Sequence, residues 1–227
     1  RKKETNVEKE ETKEGAPQAP RPAGSEYKSN QSNTEKAKRK AAGKQEAEAN
    51  VMKVYYDLHM HSCLSPCGSE DMTPANLAAM CALAGLNVVA LTDHNTCGNC
   101  APFCRAAAER GLLALPGMEL CTSEEIHVVC LFPTLDRAEH FSAYVASRLS
   151  PGENDPAIFG PQLYMDEYDQ VLGEEPALLA NATQIPLSEV PALAAEYGGF
   201  AWPAHIDRPS FSLLGVLGVW DPDLDFP

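Results

Sequence analysis

The sequence has 227 residues, 44% of them hydrophobic and 22% charged, and its formal net charge is −14. This composition is typical of a globular protein with one large domain or two small ones, but the charge is unevenly distributed. Residues 1–50 hold 12 of the 18 basic and 9 of the 32 acidic residues, which leaves residues 51–227 with a net charge of −17. We therefore expect residues 51–227, the acidic body of the chain, to repel long nucleic acids and anionic membranes. Only bound metal ions or a local arginine would offset this negative electrostatic potential.

Residues 1–50 are predicted to be a disordered charged tail. They contain no Leu, Ile, Phe, Trp, Cys or His, so they cannot bury enough apolar surface to offset the entropy lost on ordering. No apolar run reaches the roughly 20 residues of a membrane span, and no secretory signal is visible near the first residue. We therefore expect a cytoplasmic protein whose eight cysteines are reduced thiols or metal ligands rather than disulfides.

Five strands are predicted in residues 51–227, where short apolar runs alternate with helical patterns. The predicted strands are Val54–Leu58, Asn87–Thr92, Leu112–Gly117, Ile126–Phe132 and Phe200–Ala204. The helical patterns are Pro74–Gly85 after a Thr73 N-cap, Ala101–Gly111, Leu135–Leu149 and Ser188–Gly199. This alternation predicts parallel βαβ units, in which the loops at the carboxyl ends of the strands form the active site.

The alternation breaks between Gly160 and Asn181. The run PQLYMDEYDQVLGEE in this segment predicts a β-hairpin with its turn near Asp166–Asp169. We interpret the hairpin as an insertion in the loop after the preceding unit.

Five of the six histidines lie beside the predicted ends or starts of strands, together with two acidic residues. They are His59 and His61 after the first strand, Asp93 and His94 after the second, Glu119 after the third, His127 at the start of the fourth and His205 after the last. The two-residue period of a strand points His59 and His61 to the same side. Imidazole and carboxylate together suit Zn²⁺, Mn²⁺ and Fe²⁺, and more than four such ligands imply more than one ion. The sixth histidine, His140, falls within a helical pattern and is predicted to lie on the surface.

The motifs DLHMHS, LTDHNT, PGMEL, HVVCLF and PAHIDRP resemble, in order and spacing, those of the PHP (polymerase and histidinol phosphatase) superfamily. The resemblance covers about residues 55–227 and is closest to the stand-alone bacterial phosphoesterases. It implies an α/β fold, a distorted (β/α)7 TIM-like barrel that is incomplete at the carboxyl end of this chain. It also implies that residues 51–227 form a partial PHP domain with a two- or three-metal site at the mouth of the barrel.

Carried over by position, the resemblance implies that the metal ligands are His59, His61, His94, Glu119, His127 and His205. Asp93 is expected to act in catalysis by orienting the neighbouring ligand. Pro66 stands where many relatives have a metal-binding aspartate, and Asp71, or less readily Glu70, is expected to replace it from a longer loop. The last motif of the family, Asp-x-His, is absent from this sequence, which predicts a fragment that lacks part of the catalytic set.

The resemblance further implies hydrolysis of a phosphate ester, either a phosphomonoester or a small phosphodiester. Two or three divalent ions (Mn, Zn or Fe) would activate the attacking water, and the partner would be a small phosphorylated substrate. Arg208, three residues after His205, is expected to hold the substrate phosphate through a bidentate contact. The sequence carries no signal for oligomeric state.

Two other functions stay open at this point. The altered SPCG loop favours a non-catalytic metal-binding or scaffold module that has lost some ligands. The cysteines favour a redox or iron–sulfur protein, because Cys97 and Cys100 follow the second strand and Cys67 follows the first. If these strands are neighbours, the three thiols share one rim and are candidate accessory ligands.

Overall fold

The computed structural model of the chain describes residues 53–226 and, in addition, the helical residues 36 and 38. The chain divides into two units, Arg1–Met52 and Lys53–Pro227. Apart from residues 36 and 38, the predicted tail at 1–50 lies outside the described residues. Within the described part of the chain, no helix combines the length and apolarity needed to cross a bilayer.

Seven strands and six helices occur within residues 53–226. The strands are β1 (Tyr56–Met60), β2 (Val88–Leu91), β3 (Leu113–Cys121), β4 (His127–Leu131), β5 (Leu163–Met165), β6 (Val171–Glu174) and β7 (Phe200–Pro203). The helices are α1 (Pro74–Leu83), α2 (Cys100–Glu109), α3 (Leu135–Ala146), α4 (Pro156–Phe159), α5 (Val190–Glu196) and α6 (Leu213–Leu217). Thr73 caps α1 as predicted, because its hydroxyl accepts a hydrogen bond from the Asn76 amide.

The five strands outside the hairpin form one curled sheet in the order β1-β2-β3-β4-β7. Strands β1, β2 and β3 are parallel, but β4 runs antiparallel to both β3 and β7. The prediction of parallel units throughout is therefore wrong for β4. Only residues 122–126 connect β3 to β4, whereas a parallel crossover needs about a dozen residues or more.

The two faces of the curled sheet bury different side chains. On one face, alternate residues such as Val89 and Leu91 pack against the helices, including Phe103 of α2. On the other face a smaller cluster forms around Val129 and its neighbours. Because Glu119 pairs directly opposite Val129, its side chain projects from this second face, away from the helices.

The predicted hairpin insertion is confirmed. Strands β5 and β6 pair antiparallel, and the turn between them lies at residues 166–170. The buried side chain of Asn99 contacts the hairpin. It donates a hydrogen bond to the Leu163 carbonyl and accepts one from the Met165 amide, both at 3.0 Å. The hairpin thus lies beside the loop that follows β1.

Candidate metal centre

Five imidazoles surround one carboxylate at one edge of the curled sheet. Ring nitrogens approach both oxygens of Glu119: His59, His127 and His205 lie 3.1, 3.2 and 3.0 Å from Oε1, and His61 and His94 lie 3.2 and 3.3 Å from Oε2. Glu119 itself is only 1% exposed. The structure therefore brings together all six residues that were predicted as metal ligands on the strength of the family motifs.

The topology explains how residues so distant in sequence meet at this edge. The carboxyl ends of β1, β2 and β3 lie together because these strands are parallel. Since β4 is antiparallel, its first residue, His127, lies opposite Cys121 at the end of β3. His59 and Glu119 were predicted to follow their strands, but β1 and β3 extend further and include them. In β3 the extension is stabilised by its pairing with β4.

The geometry of the cluster fits a divalent metal ion. Two donor atoms that each lie ~2.1 Å from one ion are about 3.0–3.4 Å apart in octahedral or tetrahedral geometry. The distances between the histidine nitrogens and the Glu119 oxygens are 3.0–3.3 Å. The Nδ1 atom of His127 is buried 3.2 Å from Glu119 Oε1 without a hydrogen-bond partner. A nitrogen that faces a carboxylate but is not aligned to donate to it suits a cation placed between them. The Nδ1 atoms of His94 and His205 are also buried without a partner.

The charges within the cluster are strongly coupled. Burial opposes ionisation of Glu119, but its contacts with His127, His59 and His61 hold its pKa well below the ordinary range. Burial likewise opposes protonation of His61, yet contacts with Cys67 and Glu119 raise its pKa to about 10. Burial and the charge on His61 lower the pKa of His94 to about 3. Without metal, the cluster therefore holds an ionised carboxylate, a protonated His61 and a neutral His94.

A second layer of hydrogen bonds fixes the orientation of His61. Ser65 Oγ donates to Asp93 Oδ1 at 2.7 Å, so it accepts from the His94 amide at 3.0 Å and from His61 Nδ1 at 3.1 Å. With Nδ1 occupied in this way, the Nε2 atom of His61 faces the cluster, as a metal ligand requires. Sequence reasoning missed Ser65, although its position four residues after His61 in a tight loop was visible.

Asp93 lies behind the cluster rather than in it. It is 1% exposed and accepts hydrogen bonds from the amide and hydroxyl of Ser62 and from Ser65. Burial raises its pKa, and these hydrogen bonds oppose the rise. Asp93 was predicted to orient the neighbouring ligand; it lies outside the cavity lining and contacts the ligand-bearing loop through Ser62 and Ser65.

The cluster opens into a cavity of about 490 Å³. Arg208, for which a phosphate contact was predicted, lines this cavity on the segment after β7. Phe211 also lines it and stacks on the His127 ring, with centroids 4.8 Å apart and an angle of 25°. Phe211 was not predicted as part of the site, since an aromatic residue in a loop carries no specific signal in a single sequence.

Two predicted features of the site do not occur among the described residues: a metal ligand from Asp71 and a rim shared by Cys67, Cys97 and Cys100. Asp71 lies exposed outside the cavity lining, because a turn closed by the Met72 amide and the Ser69 carbonyl directs it outward. Cys97 and Cys100 are buried, and both thiols donate to the Gly117 carbonyl. They do not share a rim with Cys67, which does line the cavity, because the turn at the start of α2 folds them into the core.

Comparison with known proteins identifies the family of this chain. The family model for the PHP domain matches residues 57–196, whereas no curated protein matches the sequence. Three solved structures are similar to this chain. The lesion-specific endonuclease PfuEndoQ from Pyrococcus furiosus is 22% identical with a TM-score of 0.51, and the match covers 71% of this chain and 37% of that one.

Endonuclease Q in complex with a 27-mer duplex that carries an abasic lesion gives a TM-score of 0.50 at 22% identity, with the same coverage of 71% and 37%. A protein described as a metal-dependent phosphoesterase from Bifidobacterium adolescentis gives 0.46 at 18% identity, with 70% and 69% covered. This chain thus spans little more than a third of the length of the endonuclease. The described residues form part of a TIM-like barrel, as predicted, and since the family model covers more than half of the sequence, the chain belongs to the PHP domain family.

Proposed function

We propose that this chain carries the metal centre for hydrolysis of a phosphate ester, either a phosphomonoester or a small phosphodiester. The observation that supports this most directly is the convergence of five imidazoles on the buried carboxylate of Glu119 beside an open cavity. When bound at such a centre, divalent ions offset the charge of a phosphate and lower the pKa of the attacking water.

The residues of the chain divide into four roles in this proposal. Those that hold two or three ions of Mn, Zn or Fe are His59, His61, His94, Glu119, His127 and His205. Arg208 binds the substrate phosphate from the cavity wall, where its planar guanidinium suits a bidentate contact. Asp93 holds the loop that orients His61. Phe211 covers the His127 ring and keeps water from that side of the cluster.

An iron–sulfur or dithiol redox protein has less support. Iron–sulfur clusters are usually held by four thiolates. Within residues 53–226, every group of three or more candidate metal ligands lies at the cavity, and only one of these groups includes a cysteine. A non-catalytic metal-binding module shares the same cluster, so turnover has to be measured to separate it from an enzyme.

The test measures hydrolysis of p-nitrophenyl phosphate and bis(p-nitrophenyl) phosphate by the full chain with Mn²⁺, Zn²⁺ or anaerobic Fe²⁺. We expect metal-dependent turnover, abolished in Glu119→Gln. In Arg208→Ala we expect kcat/KM to fall about 10- to 100-fold, the effect of losing a charged hydrogen bond of ~1.5–3 kcal/mol. Arg110→Ala is the matched control, because Arg110 bonds a carbonyl of its own helix away from the cavity. Metal content without turnover on either ester would favour the non-catalytic module.

A duplex oligonucleotide with an abasic site should be included, since endonuclease Q was crystallised with such a duplex. We expect no cleavage, because the body of this chain has a net charge of −17 and repels a polyanion. Cleavage of the duplex at physiological salt would show that the preference for small substrates is wrong.

A further inference from the structure

We propose that Cys67 is a thiolate ligand in a second metal subsite, beside the ions held around Glu119, and that it binds metal together with His94 and His61. This inference rests on the proposed metal centre and specifies its chemistry. The thiol lies 3.5 Å from His94 Nε2, and donor atoms of Cys67, His94 and His61 all lie within 4.8 Å of one another. Sulfur and nitrogen ligands of a single tetrahedral ion, at ~2.3 and ~2.1 Å, lie about 3.6 Å apart, so the observed separation fits a shared ion.

The orientation of His94 supports the assignment. Its Nε2 faces Cys67, whereas its Nδ1 lies 3.3 Å from Glu119 Oε2. The residue is only 8% exposed, and Nδ1 has no aligned hydrogen-bond partner. If Nε2 binds an ion, Nδ1 is the nitrogen that carries the ring proton. His94 then belongs to the thiolate subsite, and its Nδ1 faces Glu119.

The SPCG sequence is what presents the thiol. The Gly68 amide donates to the Ser65 carbonyl at 2.8 Å, which closes a four-residue turn with proline at its second and glycine at its fourth position, as type I turns prefer. A Cβ atom at Gly68 would lie 2.1 Å from the Ser62 carbonyl oxygen, so only glycine fits there. Of the eight cysteines, all within residues 53–226, Cys67 is the exposed one.

The expected consequence is metal selectivity. A thiolate favours thiophilic ions such as Zn²⁺ and Fe²⁺, whereas carboxylate and water ligands suit Mg²⁺ and Mn²⁺. The loop position that was expected to supply a carboxylate from Asp71 instead supplies sulfur. The second subsite should therefore discriminate against Mn²⁺ more strongly than the Glu119 cluster does.

Cobalt substitution tests the proposal by spectroscopy, without reference to turnover. Full-length protein stripped of metal and loaded with Co²⁺ should show a near-ultraviolet charge-transfer band from sulfur to cobalt. We expect Cys67→Ser to lose this band and one equivalent of bound metal, while Cys104→Ser keeps both. Cys104 is the matched control because it is partly exposed on α2, outside the cavity lining. Circular dichroism confirms that each variant is folded.

A second variant tests the selectivity. In Cys67→Asp, the ratio of Zn²⁺ to Mn²⁺ affinity should fall at least about tenfold, since even outer-shell changes alter metal affinity by 10- to 100-fold. A band or metal content unchanged in Cys67→Ser would overturn the proposal, as would a band lost only in a Cys97→Ser variant. A band that depends on Cys67 in a protein without phosphoesterase activity would refute the proposed function and leave the thiolate subsite standing.

Discussion

Glu119 is the residue around which the centre is organised. A carboxylate at 1% exposure is destabilising unless a positive partner compensates its charge. In the metal-free protein that partner is His61, whose pKa is raised to about 10 although burial opposes its protonation. A divalent ion takes over this role on binding and must displace the proton on His61 Nε2, so metal affinity should fall as the pH falls.

The raised pKa of His61 predicts a pH-dependent stability of the metal-free protein. A group whose pKa is higher in the folded state stabilises the fold fully below its unfolded pKa of 6.5, and this stabilisation is lost as the pH rises towards about 10. The free energy of unfolding, measured by urea titration with a chelator present, should therefore decrease across this range. The decrease should be smaller in His61→Gln.

His140→Gln is the control for that experiment. His140 is exposed on α3, where its ring lies 3.6 Å from the Asp136 carboxylate, so its removal should leave the pH dependence intact. Equal slopes in His61→Gln and His140→Gln would contradict the coupling of His61 to Glu119 and Cys67.

Among the elements, the inserted hairpin and the site loop share one buried polar side chain, in addition to the hydrogen bond from the Leu163 amide to the Cys63 carbonyl at 3.1 Å. Asn99 is completely buried and donates to Ser62 Oγ as well as to the Leu163 carbonyl, both at 3.0 Å. It also accepts the Met165 amide. The side-chain amide of Asn99 therefore bonds both the hairpin and the loop after β1, and a change at this residue affects both.

Asn99→Ala should destabilise the fold by about 2–4 kcal/mol, since it leaves buried donors and acceptors without partners at ~1–3 kcal/mol each. Chemical denaturation measures this loss. The control is Asn76→Ala, whose amide bonds only the exposed Asp71 carbonyl and which should cost about 0.5 kcal/mol or less. A loss in Asn99→Ala no larger than in the control would show that the hairpin is held by other contacts.

The helices and strands also show which features of the fold can be predicted from the sequence and which cannot. The runs that became β1 to β4 and β7 were visible, because buried strands leave continuous apolar segments. The direction of β4 was missed, since it depends on the short connection at 122–126 rather than on a motif. His127 still reached the predicted site, because an antiparallel strand starts where its neighbour ends. The position of Cys67, by contrast, was predicted only as part of a possible rim of thiols, since the turn that presents it depends on hydrogen bonds to the Ser62 and Ser65 carbonyls.

At the scale of the whole molecule, the charge of residues 51–227 and the imidazole cluster complement each other. A body with a net charge of −17 attracts cations, and the imidazole nitrogens of the cluster can bind them. Metal bound only to the native state stabilises it by mass action. The family and the partial barrel were predictable because their motifs lie at strand ends, whereas the number of ions depends on side-chain geometry that no motif specifies.

Removal of metal should lower the thermal unfolding midpoint, and Zn²⁺ or Mn²⁺ should restore it. At a free metal concentration about 100 times the dissociation constant, the gain is ~2.7 kcal/mol for one site. Differential scanning calorimetry with a chelator, then with added metal, measures the shift. Glu119→Gln should show a clearly smaller metal-dependent shift; a shift equal to that of the unmodified chain would place the ions elsewhere.

The antiparallel direction of β4 also limits how this chain can change in length. Side chains alternate between the faces of a strand, so a one-residue slip in pairing turns His127 away from the cluster. An insertion or deletion within residues 122–126 would produce such a slip, whereas the tip of the hairpin at 166–170 can gain or lose residues without moving a single metal ligand. Length variation among homologues should therefore be concentrated at the hairpin tip and avoid the short connection before His127.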